Sequence, residues 1–189
     1  MNGDETRVLN AARAAVDRFG FNKVTIDDIC ASSGVSRATI YRLFPGGREV
    51  LFEALRLREL EGFFKRLKDE AAGSPDLEEL LVRCIVFASR ELRSDEQLAS
   101  MLASERGAVL ANLTVDGVPR IVNVATQVIT PLAEEFVPRE SAVQIVEVLV
   151  RLVISYFLAP STQVDFTNAN SVRTFLESFN FLTHPMFAK

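Results

Sequence analysis

Residues 32–49 read SSGVSRATIYRLFPGGRE, with three arginines (Arg37, Arg42, Arg48), one tyrosine and no acidic side chain before Glu49. The 189-residue chain as a whole has the opposite sign, with 21 Lys and Arg against 25 Asp and Glu and a formal net charge of −4. Net negative charge repels a phosphate backbone at long range, but only the local potential counts within a Debye length of about 8 Å at physiological salt. Residues 36–48 are locally +3, and residues 1–50 hold seven basic and six acidic side chains against 14 and 19 in the remainder. The excess acid therefore lies outside the stretch.

Its surroundings read as short helices. Residues 4–19 place Val8, Leu9, Ala12, Ala15, Val16 and Phe19 at the i, i+3, i+4, i+7 spacing of a one-faced helix, which Gly20 ends. Thr25 is a good N-cap, with Asp27 and Asp28 in the first turn where they favour the helix dipole. That helix stops at Ser33-Gly34, and the next starts at the N-cap Ser36 and ends at Phe44-Pro45, because proline disfavours helix in the residue before it. Two short helices joined by Ser33-Gly34-Val35 make a helix-turn-helix candidate, with Gly34 supplying the positive φ that a tight turn needs.

A helical wheel of residues 36–43 puts Ile40, Leu43 and Ser36 on one side, with Val35 beside them. Arg37, Ala38, Tyr41 and Arg42 fall on the other side and Thr39 on the border. The outward set has the chemistry of a major-groove reader. Arginine bonds guanine O6 and N7 in bidentate fashion, Ala and the Thr methyl can touch a thymine methyl, and Tyr hydroxyls bond phosphate. Thr25, at an exposed helix start, offers a hydroxyl and backbone N–H groups to a phosphate, as does the helix start at Gly47-Arg48. A solvated charged face with no partner is the competing reading of these residues.

The segment FGFNKVTIDDICASSGVSRATIYRLFPGGREVLFEAL resembles the DNA-binding half of the TetR family of bacterial regulators. The shared features are F-G, then T-x-x-x-I-x-x-x-x-G-V-S-x-x-T-I-Y-x-x-F, then a helix opening with a basic residue and glutamate. The resemblance implies phosphate anchors at Thr25, Tyr41 and Arg48, and base or flanking-phosphate contacts from Ser36, Arg37, Ala38, Thr39 and Arg42. Two positions depart from the family pattern: Ser33 stands for a small alanine, and Gly46-Gly47-Arg48 replaces a common serine-lysine pair.

Beyond residue 50 the chain reads as further helices, giving an all-α protein of about nine helices. The expected domains are 1–50 (helix-turn-helix) and 51–189 (effector-binding and dimerisation). The helix near 139–158 is apolar over most of its circumference, with one polar stripe of Gln144, Glu147, Arg151 and Ser155, so it needs more than one packing partner. With the last helix, near 168–183, it is expected to form a homodimer interface through Val146, Val150, Val153, Phe175 and Phe179, an arrangement that the resemblance implies too. Eleven of the 14 phenylalanines follow residue 50. Helices near 77–93, 98–105 and 118–136 are therefore expected to line a mostly apolar effector cavity, with Phe87, Met101, Asn123, Gln127 and Tyr156 among its residues.

Catalysis is not expected. The single histidine, His184, stands in a Thr-His-Pro tail without a neighbouring nucleophile or metal-ligand grouping, and Cys30 and Cys84 lack metal spacing. No cofactor or metal is implied. MNGDETRVLN has no signal-peptide core, and the run at 142–160 is interrupted by Glu147 and Arg151, so a cytoplasmic protein without a membrane span is expected. Together these features predict a homodimeric repressor that binds a roughly palindromic operator in double-stranded DNA. A hydrophobic effector would release it by tilting the long helix that starts at Arg48. An all-α protein-interaction or ligand-carrier module is the alternative.

Overall fold

The structure, a computed structural model, describes residues 3–21, 23–94 and 118–178. These residues form eight α-helices and no strand, which agrees with the all-α reading; the helix expected near 98–105 lies outside them. The chain divides into two compact units, Met1–Gly62 and Phe63–Lys189. The division falls within a long helix, whereas the sequence placed the boundary at residue 50, near that helix's start.

In the first unit, α1 (Gly3–Phe19) buries Val8, Leu9, Ala12, Ala15 and Val16, the stripe its periodicity predicts. It packs on α2 (Ile26–Ser33), which in turn meets α3 (Arg37–Leu43). Gly34 ends α2 at φ 67° and donates its N–H to the Cys30 carbonyl at 3.0 Å. Seven residues are too few for a helix to hold itself in water. The N-cap Ser36 closes the first turn of α3 by accepting from the Thr39 N–H at 3.2 Å. Burial supplies the rest, since Ile40 and Val35 lie in one core with Ile29, Phe44, Leu51, Phe52 and Leu55.

The helix α4 (Arg48–Ala71) is fastened to this core at two points. Arg48 is half-buried. Its Nε donates to the Val24 carbonyl at 3.0 Å and its Nη2 to the Phe21 carbonyl at 2.6 Å. Its guanidinium also lies 4.7 Å from the Phe52 ring centroid and 5.5 Å from that of Phe21. Further along, Arg58 donates to the Asn10 side chain at 2.9 Å and the Leu9 carbonyl at 3.2 Å.

In the second unit, α5 (Leu77–Ser94) is the central helix. It packs on α6 (Val118–Ala133), α7 (Arg139–Leu158) and α8 (Ala169–Glu177), and α6 and α7 pack along each other. Its buried residues include Leu80, Leu81, Val82, Cys84, Ile85, Val86 and Ala88, so its middle is buried over most of its circumference. Burial pushes the Cys84 thiol up to about 12, which makes it an inert core residue. Glu79 on α5 accepts from Arg83 at 2.9 Å and also from Arg173 of α8. The Arg83 bond and then the Arg173 pair hold its carboxyl below the ordinary value of 4.5, against burial. In the last turn of α7, Tyr156 stacks on buried Phe166 at 4.1 Å, and Phe175 of α8 meets both rings edge-on.

Of the valines expected at a dimer interface, Val146 and Val153 are buried on the α7 face formed with Ala142, Ile145 and Leu149. Val150 and Phe175 are half-buried, and Phe179 lies outside the described residues. The polar stripe is where the wheel put it, with Arg151 bonded to Glu147 at 2.8 Å. By length and composition alone α7 could cross a membrane; it also carries this ion pair and that core face.

Two outcomes follow. Arg48→Ala should lower the hydrogen-exchange protection of α1–α3 amides by about 2 kcal/mol, the range for hydrogen bonds from a charged donor, with Arg48→Lys falling between. Glu79→Gln should cost about 1 kcal/mol at pH 7. Because the folded-state value is depressed, the contribution is present above 4.5 and is lost as pH falls through the lowered value. Thermal melts of wild type and variant should therefore differ at pH 7 and converge near the acid end.

Candidate nucleic-acid interface

The burial of Ile40 and Val35 decides which way α3 faces. With those side chains in the core, Arg37, Ala38, Tyr41 and Arg42 are exposed and Thr39 is half-buried, as the wheel predicts. Ser36 differs: it is exposed because its hydroxyl caps the helix and bonds the Thr39 hydroxyl at 3.0 Å.

The two arginines of this face are not equivalent. Arg37 Nη1 bonds Asp27 Oδ1 at 2.8 Å, across the turn, and its guanidinium lies 5.7 Å from the Tyr41 ring centroid. Tyr41 first, and Asp27 after it, hold this guanidinium more firmly protonated than usual. The side chain stays 59% exposed and so is available to a ligand. Arg42 makes no hydrogen bond or ion pair with another described residue.

Tyr41 is set by the turn below it. Gly46 and Gly47 stand at φ 114° and 69°, in the left-handed region that favours glycine. A Cβ on Gly47 would come within 2.9 Å of the Tyr41 ring. The double glycine that departs from the family pattern thus lets the ring lie against bare backbone. The Gly47 carbonyl accepts from Leu51 at 3.0 Å, so Gly47 starts α4.

Thr25 is the N-cap of α2, within a capping box. Its hydroxyl donates to Asp28 Oδ2 at 2.6 Å and its N–H to the same oxygen at 2.9 Å. These two bonds, the hydroxyl's first, hold the Asp28 carboxyl below its ordinary value. The hydroxyl proton expected to meet a phosphate is therefore already shared with a carboxylate. Arg48 is turned inward, with Nε and Nη2 engaged by Val24 and Phe21. Sequence spacing could not show this, because its partners stand more than twenty residues away. Asp27, beside Arg37, is a member of the face that the wheel of α3 alone left out.

The described residues expected to line an effector cavity have different surroundings. Phe87 is half-buried, with its ring 5.9 Å from that of Phe63, and Tyr156 is engaged with Phe166 and Phe175. Asn123 and Gln127 are exposed on α6, and Met101 and His184 lie outside the described residues. Among the described residues no three His, Cys, Asp or Glu side chains come together as a metal site.

Comparison with known proteins follows the same division. Residues 8–55 match the model of bacterial regulatory proteins, tetR family. An uncharacterised HTH-type transcriptional regulator of Mycobacterium bovis is 32% identical over 103 residues, which are 54% of this chain and 52% of the relative. The HTH-type transcriptional regulator UidR of Escherichia coli is 29% identical over 100 residues, 53% of this chain and 50% of the relative. The chain thus matches about half the length of these curated relatives. Among solved structures, the TetR family repressor AlkX from Dietzia sp., implicated in biodegradation of n-alkanes, aligns over 95% of both chains with a TM-score of 0.68 at 21% identity. GusR of Salmonella enterica covers 95% of this chain and 94% of its own with a TM-score of 0.55 at 24% identity. At these identities the structural likeness concerns the fold. Residues 8–55 thus carry the DNA-binding signature of the tetR family of bacterial regulatory proteins, and nearly the whole chain shares the fold of the solved TetR family repressor AlkX.

Proposed function

We propose that the chain is a sequence-specific DNA-binding transcriptional repressor that acts as a homodimer. The observation that carries the reading is the outward face of α3, where Arg37, Ala38, Tyr41 and Arg42 project from a helix whose opposite side is locked into the core by Ile40. Such a helix presents bidentate donors and small apolar contacts to a major groove. Thr25, Ser36 and Thr39 flank it and supply backbone and hydroxyl contacts to phosphates; Arg48 acts indirectly, by holding the start of α4 to the chain before α2.

Few Lys or Arg side chains contact phosphate per subunit, so useful affinity requires two subunits on the half-sites of a roughly palindromic operator. On α7, Val148 is 42% exposed beside the polar stripe, and Leu152, Val150 and Ile154 are half-buried on its two flanks. These side chains, with Phe175, replace Val146 and Val153 as the surface offered to a second subunit. The effector is a hydrophobic small molecule, since the charges Glu79, Arg83, Arg173, Glu147 and Arg151 in the second unit pair with one another. It would release DNA only by binding the DNA-incompatible state more tightly than the DNA-bound state.

The reading is tested by fluorescence anisotropy with the DNA upstream of the protein's own gene, at two salt concentrations. Wild type should bind specifically and more weakly at high salt, and Tyr41→Ala or Arg42→Ala should each lose about tenfold in affinity. A folded protein that binds no DNA would favour the protein-interaction or carrier module. Gly47→Ala should weaken operator binding severalfold by displacing the Tyr41 ring and straining the turn, at a cost of about 1 kcal/mol in stability; unchanged binding would show that the seat of Tyr41 does not matter.

A further inference from the structure

We infer that Asp27 is a positioning residue for DNA recognition: it aims Arg37 at a base edge and withholds it from the phosphates, leaving Arg42 as the backbone-directed arginine of the same face. The inference rests on the proposed DNA-binding reading and concerns how its two arginines divide the work.

The electrostatics of the helix ends make Arg37 an anomaly. It is the first residue of α3, where the positive end of the helix dipole disfavours a cation. Asp27, in the first turn of α2, is stabilised by that helix's own N-terminus. The 2.8 Å bond between them joins the two helices across the turn, so the carboxylate offsets the misplaced charge. Tyr41, one helical turn beyond Arg37, borders the guanidinium from the other side. Carboxylate and ring together restrict the guanidinium.

Two consequences follow for binding. A side chain already confined to one arrangement loses less freedom when it forms a bidentate contact, which favours the one base edge that fits. A guanidinium beside a carboxylate is also a poor phosphate ligand, because the carboxylate repels the phosphate that the arginine attracts. Arg37 therefore adds little to sequence-independent affinity. Arg42, on the same face with no partner among the described residues, keeps its full charge and reach for the backbone.

The full-length protein is tested against two duplex probes, one enriched by wild type from a random pool and one unselected random-sequence duplex. Asp27→Asn keeps the shape and removes the charge. It should tighten binding to the random duplex, steepen its log K against log salt slope by up to about 0.9 per subunit, and lower the selected-to-random affinity ratio about threefold to tenfold for a dimer, the range that two exposed ion pairs reach. Arg37→Ala should abolish the preference at one base pair per half-site, and in that background Asp27→Asn should leave the ratio unchanged. Arg42→Ala should weaken both probes alike. The inference is overturned if Asp27→Asn leaves ratio and slope as in wild type, or if its effect on the ratio persists without Arg37. Wild-type protein that enriches no sequence at all overturns the DNA-binding reading itself, which separates the two failures.

Discussion

Ile40 is wholly buried in the first unit's core, and the candidate interface depends on that burial. A helix as short as α3 has no stable orientation of its own, because nucleation costs more than so few internal hydrogen bonds return. Once Ile40 and Val35 join Ile29, Leu51 and Phe52, the helix cannot rotate without exposing them. Arg37, Ala38, Tyr41 and Arg42 are then fixed on the outer side by the 100° step of the helix. The reading face is thus a consequence of packing on its opposite side, and its polar residues contribute little to holding it there.

Charge is arranged on a finer scale than the net value suggests. The first unit carries acidic residues within a few ångströms of its basic face: Asp28 is spent on the α2 capping box, and Asp27 is paired with Arg37. Arg48, basic by sequence, is an internal brace whose guanidinium serves two backbone carbonyls and lies against two phenylalanine rings. Three arginines spaced along one short stretch therefore have three environments, one paired, one without a partner among the described residues and one half-buried. Only the surroundings of each decide what it can offer to a phosphate or a base.

The second unit shows the same contrast between pattern and partner. α7 is apolar around most of its circumference, and from that pattern any of its valines could face a second subunit. The structure buries Val146 and Val153 in the core of the second unit and leaves Val148 exposed. α5, which drew less notice in the sequence, is buried around most of its middle, because it packs on α6, α7 and α8. Tyr156 looks like a polar handle in a list of residues, but its ring stacks on Phe166.

What the sequence by itself determined was local: the helices and their periodic faces, the caps at Thr25 and Ser36, the turn at Gly34, and the outward set on α3. These depend on residues within a turn or two of one another, so spacing and side-chain chemistry suffice to read them. What only the tertiary structure decided involves partners distant along the chain: Arg48 turned onto Phe21 and Val24, Arg37 bound to Asp27, and the Tyr41 ring seated on Gly47. The same holds for the choice between core and surface along α7. A guanidinium on a long flexible stem takes whichever acceptors the fold brings within about 3 Å, and that neighbourhood does not exist until distant segments have packed together.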